Sequence, residues 1–127
     1  MTKVIVLGHG GYGTAMKNNL GMLLGDLEGF HYIDFNPGDS LDDLNDRINQ
    51  VIAGHEDDPY LFACDLTGGS PFRQACLLAV EHPNIAVVAG LNTSGYADIA
   101  YTLDLSPREL AKQAIEASKE AIQVFHI

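Results

Sequence analysis

Apolar residues along the chain follow two alternating patterns, which predict strands and helices in turn. Four short apolar runs are typical of strands that are covered on both faces. Between them, apolar positions recur three or four residues apart, which predicts amphipathic helices. The predicted strands are residues 3–8, 30–35, 60–66 and 85–91, and the predicted helices are residues 12–24, 41–52, 71–82, 95–103 and 107–121.

Helix-starting signals support three of these boundaries. Ser40 opens the second helix, and Ser70 is well placed as an N-cap with Pro71 as the first helical residue. The run SPRE at residues 106–109 has a capping-box pattern that starts the last helix. The closing residues 124–127 (VFHI) are compatible with a last helical turn or with an extra C-terminal edge strand.

The alternation of strands and helices defines the fold class. It predicts one α/β domain over residues 1–127, with a doubly wound, mainly parallel sheet and helices on both faces. The expected strand order is 2-1-3-4, in which chemistry gathers beyond the carboxyl ends of strands 1 and 3. Two loops should therefore lie side by side, GHGGYG after the first strand and DLTGGSPF after the third.

Composition excludes several classes of protein. Seventeen acidic residues against seven basic ones give a net charge of −10, which disfavours nucleic acid and anionic membranes and favours basic protein partners. No apolar run approaches the roughly 20 residues of a bilayer span, and the N-terminus has no signal-peptide pattern. We expect a soluble cytoplasmic protein. Cys64 and Cys76 lack metal-binding spacing and are expected to be buried free thiols.

His9 is the first candidate for chemistry. It follows the first strand and is flanked by Gly8, Gly10 and Gly11, so its ring should be accessible and backbone N–H groups nearby can face an anion. Asp65 ends the neighbouring strand, and adjacent strands lie only about 4.8 Å apart. A hydrogen bond from the imidazole to this carboxylate would fix the tautomer and leave the other ring nitrogen free as a nucleophile.

The second loop supplies what a phosphorylated imidazole needs. Gly68, Gly69 and Ser70 precede a helix whose first N–H groups are unpaired, and Thr67 adds a hydroxyl donor. Arg73, one turn into that helix, is equally compatible with a phosphoryl contact and with an acidic neighbour. Nucleophile, orienting carboxylate and anion cradle converge at one place, and this convergence favours a phosphoryl carrier.

Other functions also fit parts of the pattern. Gly8, Gly10 and Gly13 match GxGxxG, and Asp34 follows about twenty residues later, as in a dinucleotide-binding domain. An imidazole between the first two glycines would crowd a pyrophosphate, however, and the chain is short for a separate substrate-binding part. A receiver-like domain fits Asp65 but lacks the paired acids and the lysine that it needs, and a binding module without chemistry at His9 stays open. The remaining histidines are expected to be structural or solvated: His31, His55, His82 and His126.

Three motifs carry a resemblance to a known family. VIVLGHGGYGTAM, LFACDLTGGSPFRQA and AVVAGLN occur in the order and at the approximate spacing of the mannose-family enzyme IIA proteins of the bacterial phosphoenolpyruvate-dependent sugar phosphotransferase system (PTS), which the chain resembles over nearly its whole length. The resemblance implies that His9 accepts a phosphoryl group from HPr and donates it to a IIB component. It also implies that Asp65 hydrogen-bonds His9 and that residues 67–70 contact the phosphoryl group.

The resemblance further implies a homodimer, in some relatives with an exchanged C-terminal strand, and sugar entry through membrane IIC and IID components. It implies no metal and no organic cofactor. A related branch serves dihydroxyacetone kinase, and GGSPF favours the sugar branch. The sugar itself cannot be read from the sequence, because a IIA protein does not contact it.

Overall fold

The computed structural model describes residues 1–126 and contains the predicted alternation of strands and helices. The four strands form one parallel sheet in the order β2-β1-β3-β4, as predicted. In chain order the elements are β1 (Lys3–His9), α1 (Tyr12–Leu24), β2 (Phe30–Phe35), α2 (Leu41–Ile52), β3 (Tyr60–Cys64), α3 (Gly69–Glu81), β4 (Ile85–Ala89), α4 (Thr93–Ile99) and α5 (Pro107–Ala121).

Helices cover both faces of this sheet, which explains why the central strand is continuously apolar. Side chains alternate between the two faces of a strand. In β1, Val4 and Val6 pack with residues of α1, α4 and α5, whereas Ile5 and Leu7 pack with residues of α2 and α3. All four side chains are completely buried. Continuing the alternation, His9 lies on the α3 side.

The helix starts agree with the predicted signals except at α3. Ser40 and Ser106 cap α2 and α5, each in a reciprocal capping box. The predicted N-cap at Ser70 is wrong, because α3 begins at Gly69 and its N-cap residue is Gly68. Gly68 and Gly69 have φ angles of +95° and +76°, which glycine adopts without strain, so the helix starts earlier than serine and proline preferences indicate.

Several boundaries differ from the predicted ones by one to four residues. β1 extends to His9, because the Gly10 N–H still donates to the Phe35 carbonyl over 2.7 Å. β3 and β4 end earlier than predicted, at residues 64 and 89. α4 begins at residue 93 and not 95, because the Asn92 side chain caps it, and it ends at residue 99 instead of 103.

The C-terminal segment and the two cysteines differ in part from what the sequence predicts. Residues 122–126 form neither helix nor strand, so the extra edge strand is not found in the described part of the chain, and Ile127 lies outside the described residues. Cys64 and Cys76 are both free, but only Cys64 is fully buried. Within residues 1–126, no helix has the length and apolar character needed to cross a bilayer.

Candidate functional site

The structure brings His9 and Asp65 into direct contact. Asp65 Oδ2 lies 2.9 Å from His9 Nδ1 and also accepts the His9 backbone N–H over 3.0 Å. The two residues are held at this distance by the parallel pairing of β1 with β3, which continues in a 3.2 Å bond from the Asp65 N–H to the Leu7 carbonyl. The predicted pairing of these two side chains therefore exists in the folded chain.

The contact determines which ring nitrogen is available. Because an ionised carboxylate only accepts hydrogen bonds, the neutral imidazole carries its hydrogen on Nδ1 and keeps the lone pair on Nε2. The His9 side chain is 43% exposed, whereas that of Asp65 is 19% exposed. The Phe35 ring lies edge-on to the imidazole, with 6.1 Å between ring centroids. The site thus presents an accessible imidazole that is hydrogen-bonded to a more shielded carboxylate.

Gly8 allows the carboxylate to reach the histidine. A Cβ atom at this position would lie 2.7 Å from Asp65 Cγ and 2.7 Å from Tyr12 Cδ2, far inside van der Waals contact. Any side chain at Gly8 would therefore displace the Asp65 carboxylate or the Tyr12 ring. The glycine is needed here for space, and not for its φ angle.

His9 Nε2 faces the start of α3. A Cβ atom on Gly69 would lie 3.0 Å from His9 Cε1 and 3.1 Å from Nε2, so the ring edge lies directly over this glycine. No side chain caps α3, and the first N–H groups of a helix have no intrahelical acceptors. These N–H groups and the positive end of the helix dipole can hold an anion next to Nε2.

The other predicted anion-binding residues differ in what they can offer. Thr67 and Gly68 are exposed beside Gly69, and Ser70 is half-buried in the first turn of α3. Gly10 has its N–H committed to the Phe35 carbonyl, so it has no free backbone donor for an anion. Gly11 is exposed at the start of α1, and its role in anion binding stays a prediction.

Arg73 is exposed in the second turn of α3. Within residues 1–126 no carboxylate pairs with it, so the acidic neighbour considered from the sequence is not found. A contact between its guanidinium group and a bound phosphoryl group stays a prediction.

Asp34, the acidic residue of the dinucleotide pattern, already accepts hydrogen bonds on both carboxylate oxygens. Its Oδ1 accepts the Thr14 N–H over 3.0 Å and its Oδ2 accepts the Thr14 hydroxyl over 2.5 Å. Both carboxylate oxygens thus cap the first turn of α1, and a ribose would have to displace Thr14. The geometry of this loop does not support dinucleotide binding.

Sequence reasoning missed one feature beside the site. The hydroxyl groups of Tyr12 and Tyr96 lie 2.5 Å apart, and the Tyr12 ring adjoins the Asp65 carboxyl group. The two residues are 84 positions apart in the chain, and no motif connects them. Only the packing of α1 against α4 brings them together.

The fold and the site together define an open parallel α/β protein with a carboxylate-bound histidine next to a helix N-terminus that no side chain caps. The model of the EIIA-man family, described as the PTS system fructose IIA component, matches residues 3–94. The chain belongs to this family, as its motifs predicted.

Similar proteins agree with this assignment. The chain is 32% identical to the PTS system mannose-specific EIIAB component of Escherichia coli, over 98% of this chain and 40% of that protein. It is 32% identical to the PTS system sorbose-specific EIIA component of Klebsiella pneumoniae, over 72% and 67% of the two chains. The crystal structure of a phosphotransferase system component EIIA from Streptococcus agalactiae has a TM-score of 0.88 and 27% identity, covering 98% of each chain. The chain thus spans about two fifths of the Escherichia coli protein.

Proposed function

We propose that this chain is the phosphoryl carrier of a sugar phosphotransferase system, and that His9 Nε2 accepts a phosphoryl group from phospho-HPr and donates it to a IIB component. One observation carries the proposal. His9 Nδ1 is bound to Asp65 over 2.9 Å, while Nε2 faces the uncapped start of α3. Family membership supports the same role.

The transfer follows from this arrangement. The Nε2 lone pair attacks phosphorus, and the phosphorus–nitrogen bond of the donor breaks, with its electron pair returning to the donor imidazole. The His9 ring keeps its Nδ1 hydrogen and gains positive charge as the new bond forms. Asp65, already in place, stabilises that charge without reorganising. Attack by the acceptor on the same phosphorus reverses these changes at His9.

The phosphoryl oxygens would lie against Gly69 and the first N–H groups of α3, with the hydroxyl groups of Thr67 and Ser70 close by. A helix N-terminus stabilises an anion by about 0.3–1 kcal/mol at an exposed site. Such a modest interaction offsets the phosphoryl charge without trapping the group, which suits a carrier that must release it. The His9 side chain is 43% exposed and is therefore accessible to both the donor protein and the acceptor protein.

The partners are proposed from the family and the charge. HPr is the proposed donor and a IIB component the proposed acceptor in the cytoplasm, with membrane IIC and IID components involved only indirectly. The net charge of −10 favours basic surfaces on these proteins. Relatives are named for mannose and sorbose. The site holds only a phosphoryl group, so its residues do not select a sugar.

The homodimer also stays a proposal. Within residues 1–126, β4 pairs only with β3 and leaves its other edge open. Beyond α5, Ile122, Val124 and Phe125 are 75%, 71% and 91% exposed, which is unusual for side chains of this kind. A second copy of the chain that packs against the open edge of β4 and against these three side chains would remove both from solvent. Sedimentation velocity should give twice the mass of one chain, and a monomer at micromolar concentration would contradict the dimer.

Asp65→Asn is expected to slow phosphoryl transfer by about 10³-fold, because an amide keeps the shape but cannot stabilise a positively charged imidazole or fix its tautomer. The rate of phosphorylation by phospho-HPr measures this effect. Asp58→Asn is the matched control, because Asp58 contacts the ring of His55 over 3.3 Å in the same way. A rate for Asp65→Asn within tenfold of the wild type would mean that the carboxylate is not part of the transfer.

The proposed function is tested by incubating the purified chain with phosphoenolpyruvate, enzyme I and HPr. Mass spectrometry should find one acid-labile phosphoryl group, and digestion should place it on the peptide that contains His9. Labelling should require HPr, and addition of a IIB protein should remove the group. An unlabelled chain, or a label on another peptide, would overturn the proposal.

A further inference from the structure

A pair of hydrogen-bonded tyrosines lies next to the carboxylate that holds His9, with the Tyr12 ring as its nearest part. Tyr12 is the first residue of α1, Tyr96 lies in α4, and their hydroxyl oxygens are 2.5 Å apart. The Tyr96 side chain is completely buried and Tyr12 is half-buried. Hydroxyl groups in such surroundings are costly unless each is hydrogen-bonded.

Asp65 lies on the same face of the sheet as this pair. Leu61 and Ala63 of β3 pack in the same cluster as Tyr96, and by alternation Asp65 extends from that face. The Asp65 carboxyl carbon and the Tyr12 ring edge each lie 2.7 Å from the place that a Cβ on Gly8 would take. Carboxylate and ring are therefore immediate neighbours above the glycine.

One hydrogen-bond donor and one acceptor near His9 have no partner within residues 1–126. Asp65 Oδ2 accepts two hydrogen bonds from His9, but Asp65 Oδ1 is buried and has no partner within residues 1–126. The two phenol groups carry two hydroxyl hydrogens, and their mutual bond uses only one. The carboxyl group with the unpaired oxygen adjoins the ring of Tyr12, one of the two tyrosines.

We propose that the Tyr12–Tyr96 pair donates its remaining hydroxyl hydrogen to Asp65 Oδ1, directly or through one buried water, and that the two tyrosines are positioning residues which act on His9 through Asp65. A carboxylate with donors on both oxygens holds its negative charge more readily. Asp65 then stays ionised and keeps Nε2 of His9 free over a wider pH range. The consequence for transfer rests on the proposed function, whereas the hydrogen bond does not.

The groups around Asp65 leave few other sources of pH dependence. Burial raises the pKa of Tyr96 and of Tyr12, and the Asp65 charge adds to both shifts, so both hydroxyl groups stay protonated. Burial raises the pKa of Cys64 to about 12, with contributions from Asp65 and Cys76, so this thiol stays neutral. From α3, the first charged residue is Arg73, which is exposed. The remaining titratable groups of this cluster are His9 and Asp65 themselves.

The test removes both hydroxyl groups and keeps both rings, in the double variant Tyr12→Phe/Tyr96→Phe. Removing both partners of a buried hydrogen bond is close to neutral for stability. Tyr101→Phe is the control, because Tyr101 is 74% exposed. Without a hydroxyl donor to Asp65 Oδ1, the negative charge of the carboxylate concentrates on Oδ2. This favours uptake of a proton by His9 and Asp65. The acid limb of the phosphorylation rate profile should move upward by about one pH unit in the double variant and stay unchanged in the control.

Two NMR readouts need no phosphoryl transfer, so they separate this inference from the proposed function. The pH at which the His9 ring nitrogens of the unphosphorylated chain titrate should move upward in the double variant, in parallel with the rate profile. The wild type should show two exchange-protected tyrosine hydroxyl protons, one within the pair and one toward Asp65, that are absent from the double variant. The buried Tyr60 hydroxyl, which donates to the His55 carbonyl over 2.8 Å, should give a third that both proteins share. An unmoved titration in the folded double variant, or loss of fewer than two protected hydroxyl protons relative to the wild type, would overturn the inference.

Discussion

A His9→Ala variant is expected to take up no phosphoryl group from phospho-HPr, although it should fold normally. The side chain is 43% exposed at the end of β1, so its removal leaves little cavity in the core. No other histidine is expected to replace it, because among residues 1–126 only His9 has a carboxylate-bound Nδ1 together with an Nε2 that faces a helix N-terminus. Mass spectrometry after incubation with the donor system should find the variant unmodified.

His55→Ala is the matched control for this experiment. The His55 ring also contacts a carboxylate through Nδ1, with Asp58 Oδ2 at 3.3 Å, and its side chain is 60% exposed. It precedes β3, however, and so lies at the opposite edge of the sheet from α3's first turn. A histidine–carboxylate pair alone should not accept phosphoryl, and His55→Ala should be labelled like the wild type. A label that survives in His9→Ala would move the acceptor to another residue.

The strand order around the site could be predicted, because it depends on sequence patterns that extend over only a few residues each. Apolar runs and helical periodicity defined the order of elements, and the parallel winding rule then placed the ends of β1 and β3 side by side. Once these two strand ends are neighbours, the backbone spacing brings His9 and Asp65 within reach, and the lack of a side chain at Gly8 lets the carboxylate contact the imidazole. The glycine-rich loop before α3 followed from the same adjacency.

The features that were missed depend on choices that the sequence leaves open. A Gly-Gly pair permits several backbone paths, so the start of α3 at Gly69 could not be told from a start at Pro71. Pro71 is tolerated as the third helical residue, because an N–H there would have no intrahelical acceptor. The Tyr12–Tyr96 pair depends on how α1 packs against α4, which no local pattern encodes.

Asp34 shows how a motif can mislead. Its spacing from the glycines matched a ribose-binding acid, but the same place at the end of β2 also faces the first turn of α1. There the unpaired N–H and the hydroxyl of Thr14 compete for the carboxylate, and both are bonded to it. The local N-terminal cap satisfies the acid before any ligand is present.

Gly69→Ala is expected to reduce phosphoryl transfer by at least about 100-fold, because effective transfer requires reacting atoms to approach in a defined geometry. The new methyl group would lie 3.0 Å from His9 Cε1 and 3.1 Å from Nε2, in the space that the incoming phosphorus must enter. Either the methyl group blocks that space or the imidazole rotates away and loses its bond to Asp65. The measurement is the rate of phosphorylation by phospho-HPr.

Gly68→Ala separates this steric effect from backbone strain. Both glycines have positive φ angles, +95° at Gly68 and +76° at Gly69, so alanine at either position should destabilise the fold by roughly 1–2 kcal/mol. A Cβ on Gly68 meets no heavy atom within 4 Å, so this variant is strained but leaves Nε2 open. Thermal unfolding should therefore be shifted similarly in both variants, while transfer should be lost only in Gly69→Ala. Equal losses of transfer in the two variants would contradict this prediction and would assign the effect to distortion of the loop.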